Sequence, residues 1–263
     1  MLGALKSTTK YVLRQFNLGA LRYDRLQKLE KGSRAGEDIE LLVELPPRHS
    51  HDLMLLLHDS SAEFRQDLFV LSELDFKRDG YFVEFGATDG ITTSNTYLLN
   101  RQFGWRGILA EPARRWHEDL KRNRSCDIET SCVWKASNQI LQFKEHNIGE
   151  CSSIVEFSST QSSQQRHNGQ AVYDVPTISL VDLLAKYNTP SVIDYLSIDT
   201  EGSEYEILSS FDFSKYKFRV ITCEHNYTSS REKVYDLLTG NGYERKLEKF
   251  SKVDDWYVLR NSQ

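Results

Sequence analysis

Long apolar runs are missing from this chain of 263 residues. No stretch approaches the roughly 18 apolar residues that cross a bilayer, and the N-terminus lacks the continuous apolar core of a signal peptide. Cysteine is sparse. Cys126, Cys132, Cys151 and Cys223 form neither a CxxC pair nor a zinc-ligand spacing, which argues against a zinc ribbon and points to reduced thiols in a cytosolic protein. A basic excess is absent too. With 33 Lys and Arg against 38 Asp and Glu, the net charge of -5 is the wrong balance for bulk nucleic-acid binding.

What is present is an ordinary globular composition, 39% hydrophobic and 27% charged, in a chain long enough to bury a sizeable core. Its first 34 residues depart from that average. Lys6, Lys10, Arg14, Arg22, Arg25, Lys28, Lys31 and Arg34 face only Asp24 and Glu30, while Leu2, Leu5, Tyr11, Val12, Leu13, Phe16, Leu18 and Leu21 fall near helical spacing. A basic amphipathic helix of this kind suits a peripheral contact with an anionic membrane surface. It suits equally well an extension packed on the main domain. The expected organisation is a basic, helical extension over residues 1–75 and a main domain over 76–263.

From Tyr81 onward, strand and helix patterns alternate, as in an α/β sheet with crossover helices. "YFVEF", "RGILAE", "DIETSCVW", "VIDYLSID" and "FRVITCEH" read as strands, with helices in "TISLVDLLAKY", "SEYEILSSF" and "SREKVYDLLTGNGY". The end, "YERKLEKFSKVDDWYVLRN", reads as a hairpin, so the last edge of the sheet should be antiparallel. "CSSIVEFSSTQSSQQRHNGQ" (151–170) is Ser- and Gln-rich and reads as a surface loop.

Ligands of open parallel sheets bind outside the carboxyl ends of the strands. There this sequence puts Glu84 with Gly86, Asp89 and Gly90; Glu111; Asp199 with Glu201; and Glu224 with His225. Four strands each deliver acid to one rim. The two glycines let the backbone turn tightly and approach a ligand. "GATDG" is neither a dinucleotide fingerprint nor a Walker loop, and a pyrophosphate would be repelled by Glu84 and Asp89. A ligand carrying a sulfonium and an ammonium would be attracted, and an acid after the second strand is placed to take ribose hydroxyls. These are the needs of S-adenosyl-L-methionine.

The blocks "YFVEFGATDGITTSNTYLLN", "GWRGILAEP", "TISLVDLL", "IDYLSIDTEGSEYEIL", "ITCEHN" and "DDWYVL" resemble the FkbM family of methyltransferases, in order and spacing, from about Gly80 to Leu259. The resemblance implies a class I methyltransferase, Rossmann-like fold: a seven-stranded, mostly parallel sheet with an antiparallel last strand. It implies methyl transfer to oxygen, commonly a hydroxyl of a sugar or a secondary metabolite. By position, Glu84, Gly86, Asp89, Gly90 and Asn95 would line the methionine end of the cofactor and Glu111 its ribose. Asp199, Glu201, Glu224 and His225 would face the acceptor, with His225 or Asp199 as the base. A divalent ion on Asp199, Glu201 or Glu224 is an alternative means of acidifying the hydroxyl. A non-catalytic, cofactor-binding scaffold of a glycan-assembly complex is an alternative of another class. The expected setting is cytoplasmic, with a sugar or glycan acceptor, no nucleic acid, and the basic leader available for an inner-membrane contact.

Overall fold

The computed structural model describes residues 23–145, 153–154 and 171–260. Most of the basic leader, and the 151–170 loop apart from Ser153 and Ile154, fall outside them. The chain divides between Pro47 and Arg48. Of the first unit, the described part is built on helix α1 (Tyr23–Glu44).

The second unit begins with α2 (Ser50–Leu56) and α3 (Gln66–Glu73). The stretch "HDLMLLLHDSSAEFRQDLFVLSEL", helical in pattern throughout, is thus two short helices with a loop between them. There follow β1 (Tyr81–Phe85), α4 (Tyr97–Phe103), β2 (Arg106–Ala110), α5 (His117–Asn123) and β3 (Asp127–Glu129). Next come β4 (Cys132–Trp134), β5 (Ile140–Glu145), β6 (Ser153–Ile154), β7 (Ala171–Ser179) and α6 (Leu180–Lys186). The chain closes with β8 (Val192–Ile198), α7 (Glu204–Ser209), β9 (Lys217–Glu224), α8 (Ser230–Gly240), β10 (Tyr243–Lys246), α9 (Glu248–Ser251) and β11 (Asp254–Leu259).

Seven strands form one sheet in the order β10-β11-β9-β8-β1-β2-β3. β1, β2, β3, β8 and β9 run parallel, and β11 lies antiparallel between β9 and β10. This is the strand order of a class I methyltransferase. The central strands read as continuous apolar runs because helices cover both faces, and all five residues of β1 are buried. Val83, Phe85, Ile108, Leu196, Ile198 and Ile221 form one core with Leu183, Leu208 and Leu238 of the helices. α6 starts where Ser179 caps it, its hydroxyl accepting the Asp182 N–H at 3.1 Å.

A second sheet, β4-β7-β5-β6, was not expected. "DIETSCVW" is not one strand: it breaks after Glu129, so that β3 ends the main sheet and β4 joins the second. β7 escaped the pattern because Pro176 interrupts it, and proline ordinarily argues against a central strand. Here the proline marks a change of partner. Residues 171–176 pair with β5, and residues 177–179 pair with β4.

Candidate active site

Glu84 sits one residue before the end of β1 and is buried. Its Oε1 accepts the Asn95 N–H at 2.8 Å, and its Oε2 accepts Ser94 Oγ at 3.1 Å and the Thr96 hydroxyl. Behind these hydroxyls lies buried Arg124. It donates to Ser94 Oγ at 3.1 Å, Thr96 Oγ1 at 3.0 Å and the Gly90 carbonyl at 2.8 Å. Carboxylate and guanidinium are joined through two hydroxyls, so neither is buried unpaired. The result is a fixed loop that carries Asn95 against β8. Its Nδ2 donates to Ser197 Oγ at 2.9 Å, and its Oδ1 is buried without a partner.

The glycines serve the protein itself before any ligand. A Cβ on Gly86, at φ +74°, would meet the Asp199 carbonyl oxygen at 2.3 Å; one on Gly90, at φ +80°, would meet the Arg124 and Leu120 side chains. Gly86 therefore lets the ends of β1 and β8 close up. Asp89 is spent in its own turn, where Oδ1 accepts the N–H groups of Ile91 and Thr92 and Oδ2 accepts the Thr92 hydroxyl.

Glu111 follows β2. Its oxygens accept the N–H groups of Thr88 and Ala113, both at 2.8 Å. Burial raises its pKa to about 7, against the pull of those two donors. Each oxygen keeps a second lone pair for a ligand hydroxyl. Cys132, Val133, Phe143 and Ile154, from the second sheet, line the same cleft.

Asp199, Glu201 and Glu224 bring carboxylate oxygens within 4.8 Å of one another. Glu201 takes a left-handed φ of +58°. Glu204, buried at the start of α7, holds that turn: its Oε1 accepts Thr200 N–H at 3.1 Å, Thr200 Oγ1 at 2.9 Å and Gly202 N–H at 3.0 Å. Burial and then the Asp199 and Glu201 charges push Glu224 far above the usual carboxyl range, so Glu224 is the member of the cluster that holds a proton most firmly. Asp199 is raised to about 7 by the surrounding protein and then by Glu201, and Glu201 to about 7 by burial and then by Glu204. The like charges are the firmer cause for Asp199, because water in the open cleft reaches it. One Glu224 oxygen is buried without a hydrogen-bond partner.

Seven carboxylates line this cleft: Glu63, Glu84, Glu111, Asp199, Glu201, Glu224 and Asp254. Among the described residues, no lysine, arginine or histidine does. Gly86 and Asn95 also line it, whereas Asp89, Gly90 and His225 do not. His225 is buried beside β11, where Nε2 donates to the Asp254 carbonyl at 3.0 Å and Nδ1 accepts the Tyr227 N–H at 3.0 Å. Burial lowers its pKa, so the ring stays neutral with both nitrogens engaged.

The methyltransferase FkbM domain model matches residues 84–257. The chain belongs to the FkbM methyltransferase family. No curated protein matches the sequence. Among solved structures, the FkbM chain is similar to a precorrin-6y C5,15-methyltransferase from Geobacter metallireducens GS-15, at 12% identity over 74% of this chain and 87% of that one, TM-score 0.38. A ribosomal protein L11 methylase from Lactobacillus delbrueckii subsp. bulgaricus shares 8% identity over 75% and 77% of the two chains, TM-score 0.39. The METTL16 methyltransferase domain shares 13% over 73% and 64%, TM-score 0.41.

Several lining residues of this FkbM protein escaped the sequence reading, among them Asp254, Glu63, Phe64 and Gln66 beside the second-sheet residues named above. Asp254 starts the antiparallel β11 opposite Glu224, and an antiparallel strand begins at the edge where parallel ones end. A reading confined to strand ends passes over it. Glu63 and Phe64 come from the loop before α3 and Gln66 from its first position, and nothing in their local pattern places them at the rim.

Proposed function

We propose that this methyltransferase uses S-adenosyl-L-methionine to methylate a hydroxyl group, and that the acceptor is a sugar in a glycan, polysaccharide or glycoconjugate. Charge carries this reading: a cleft lined by seven carboxylates and by no described basic residue favours a cationic cofactor and disfavours phosphate-bearing acceptors, nucleic acid included. The chain's own groups suit the cofactor. The orphan Oδ1 of Asn95 is an acceptor for its ammonium, Glu111 has lone pairs for the ribose hydroxyls, and Cys132, Val133 and Phe143 offer an apolar wall to the adenine. Bound there, the cofactor supplies a methyl group already activated on sulfur.

The protein then has to align the acceptor oxygen, exclude water and take one proton. Asp199 fits that last task. A carboxylate with a pKa near 7 is a serviceable base at neutral pH, and Glu224 keeps a proton in the pair so that the cluster does not carry a full set of charges. Glu201 faces the same point and orients the hydroxyl. The proton on Asp199 leaves to the solvent in the open cleft. A divalent ion on Asp199, Glu201 and Glu224 would take the place of the proton on Glu224, and loss of turnover in chelator would mark that variant of the mechanism. No helix among the described residues is long and apolar enough to cross a membrane, and a peripheral contact would fall to the basic leader.

The deciding experiment is transfer of radiolabelled methyl from S-adenosylmethionine to methyl glycosides and lipid-linked sugars, paired with calorimetric binding of adenosylhomocysteine. Binding with transfer to a sugar is expected. Binding without transfer to any hydroxyl acceptor would leave a scaffold.

A further inference from the structure

The residues before Glu84 lie outside the matched family segment, yet Glu63, Phe64 and Gln66 line the cleft. The loop that carries them is tied at both ends. On one side Ser61 Oγ donates to the Ser94 carbonyl at 2.8 Å, and Ala62 bridges Thr93. Thr93 and Ser94 belong to the loop that Glu84 holds. On the other side the amide of Gln66 is used at both ends. Its Oε1 accepts the Phe64 N–H at 2.9 Å, and its Nε2 donates to Asp254 Oδ2 at 2.7 Å. Ser60 Oγ donates to Asp67 at 2.7 Å, and Arg65 donates to the Ser60 carbonyl at 3.1 Å, which closes the loop on itself. Ser60–Gln66 therefore runs from the β1 loop to the start of β11, with Glu63 and Phe64 between the two ties.

Glu63 is exposed and stands near enough to Asp199 and Asp254 to act on the charge of both. That puts it at the acid cluster. Phe64 is half-buried beside it.

We propose that Ser60–Gln66 selects the acceptor: the Phe64 ring packs on the apolar C–H face of a sugar ring, Glu63 accepts its hydroxyls, and Gln66 is the positioning residue that holds Phe64 and Asp254 together. This rests on the sugar methylation proposed above. The pairing has a physical basis. The electron-rich face of an aromatic ring attracts C–H groups polarised by neighbouring oxygens, and an ionised carboxylate accepts hydroxyl donors more strongly than a neutral group does. The ties run through the Ser61 hydroxyl, the Ala62 backbone and the Ser94 carbonyl, so the side chains of Glu63 and Phe64 can change without breaking them.

The test uses the full chain and radiolabelled methyl transfer to the methyl α-glycosides of glucose, galactose, mannose, rhamnose and fucose, with adenosylhomocysteine affinity measured on every variant. Phe64→Ala should raise the acceptor KM about tenfold, the scale of one aromatic contact, and Phe64→Leu should raise it less. Glu63→Gln and Gln66→Ala should also raise KM, while cofactor affinity stays within about threefold of wild type. If Phe64→Ala loses adenosylhomocysteine binding through misfolding, Phe64→Leu and Glu63→Gln decide. Unchanged KM in those variants, with the wild type active, overturns the acceptor role and leaves the methyl-transfer reading intact. A wild type that binds adenosylhomocysteine but methylates none of the five glycosides overturns the sugar reading and this proposal with it.

Discussion

Glu84 and Glu111, at the ends of β1 and β2, and Asp199, Glu201 and Glu224, at and just beyond the ends of β8 and β9, are the same chemical group on one sheet edge. Their surroundings are opposite. The first pair receives N–H and hydroxyl donors from its own loops, so these carboxylates are fixed in place. The trio faces itself, its charges raising the hold of Asp199 and Glu224 on protons, and an oxygen of Glu224 is left without a partner. A carboxylate surrounded by donors is drawn toward its ionised form and anchors its loop. One surrounded by other carboxylates is held closer to its protonated form.

The sharpest break of this comparison is Asp199→Asn. It should lower turnover by about 10²–10⁴-fold while adenosylhomocysteine affinity, by calorimetry, stays put. Glu224→Gln imitates the protonated form and should lose far less. Equal losses in the two variants would mean that no proton division exists between them.

On the anchoring side, Glu84→Ala leaves Arg124 buried with an unbalanced charge and two hydroxyls short of an acceptor. We expect a loss of about 3–5 kcal/mol in urea denaturation, and a loss below 1 kcal/mol would show that Glu84 is not an anchor. Glu111→Gln is milder. It keeps the shape, replaces one acceptor of ribose hydroxyls by a donor, and should weaken adenosylhomocysteine about tenfold, equal to about 1.4 kcal/mol; no change would place the ribose elsewhere.

The smallest effect is on the pH dependence of stability. Asp199, Glu201, Glu111 and Asp254 all have folded-state pKa values raised to about 7, so the folded state holds protons that the unfolded state releases near pH 4. The stabilisation is complete below about pH 4 and is lost as the pH rises through about 7. The melting temperature of the ligand-free protein should therefore fall between pH 5 and pH 8, and Asp199→Asn should make that fall shallower. A melting temperature that climbs over this interval would contradict the raised carboxyls.

Much of the main sheet could be read in advance because its central strands are continuous apolar runs that end in acid. Local pattern was enough for Tyr81–Phe85, Val192–Ile198 and the terminal hairpin. It failed at the second sheet, where short strands with exposed positions carry little period-2 signal and Pro176 hides a change of partner. It also missed a second constraint on Gly86, the Asp199 carbonyl more than a hundred residues away in sequence.

By itself the sequence determined the residue types at the strand ends, and with them a cleft that attracts cations. Local hydrophobic spacing sets where strands stop, and the residue at each stop is read directly. Only the tertiary structure decided what each acid does. The state of a carboxylate depends on the donors and charges within a few ångströms, and these come from distant segments: Ser94 and Thr96 for Glu84, Glu224 for Asp199, Gln66 for Asp254. It likewise withdrew His225 and Asp89 from the lining and brought Phe64 and Glu63 to it, since long-range packing alone chooses which loops meet at an edge.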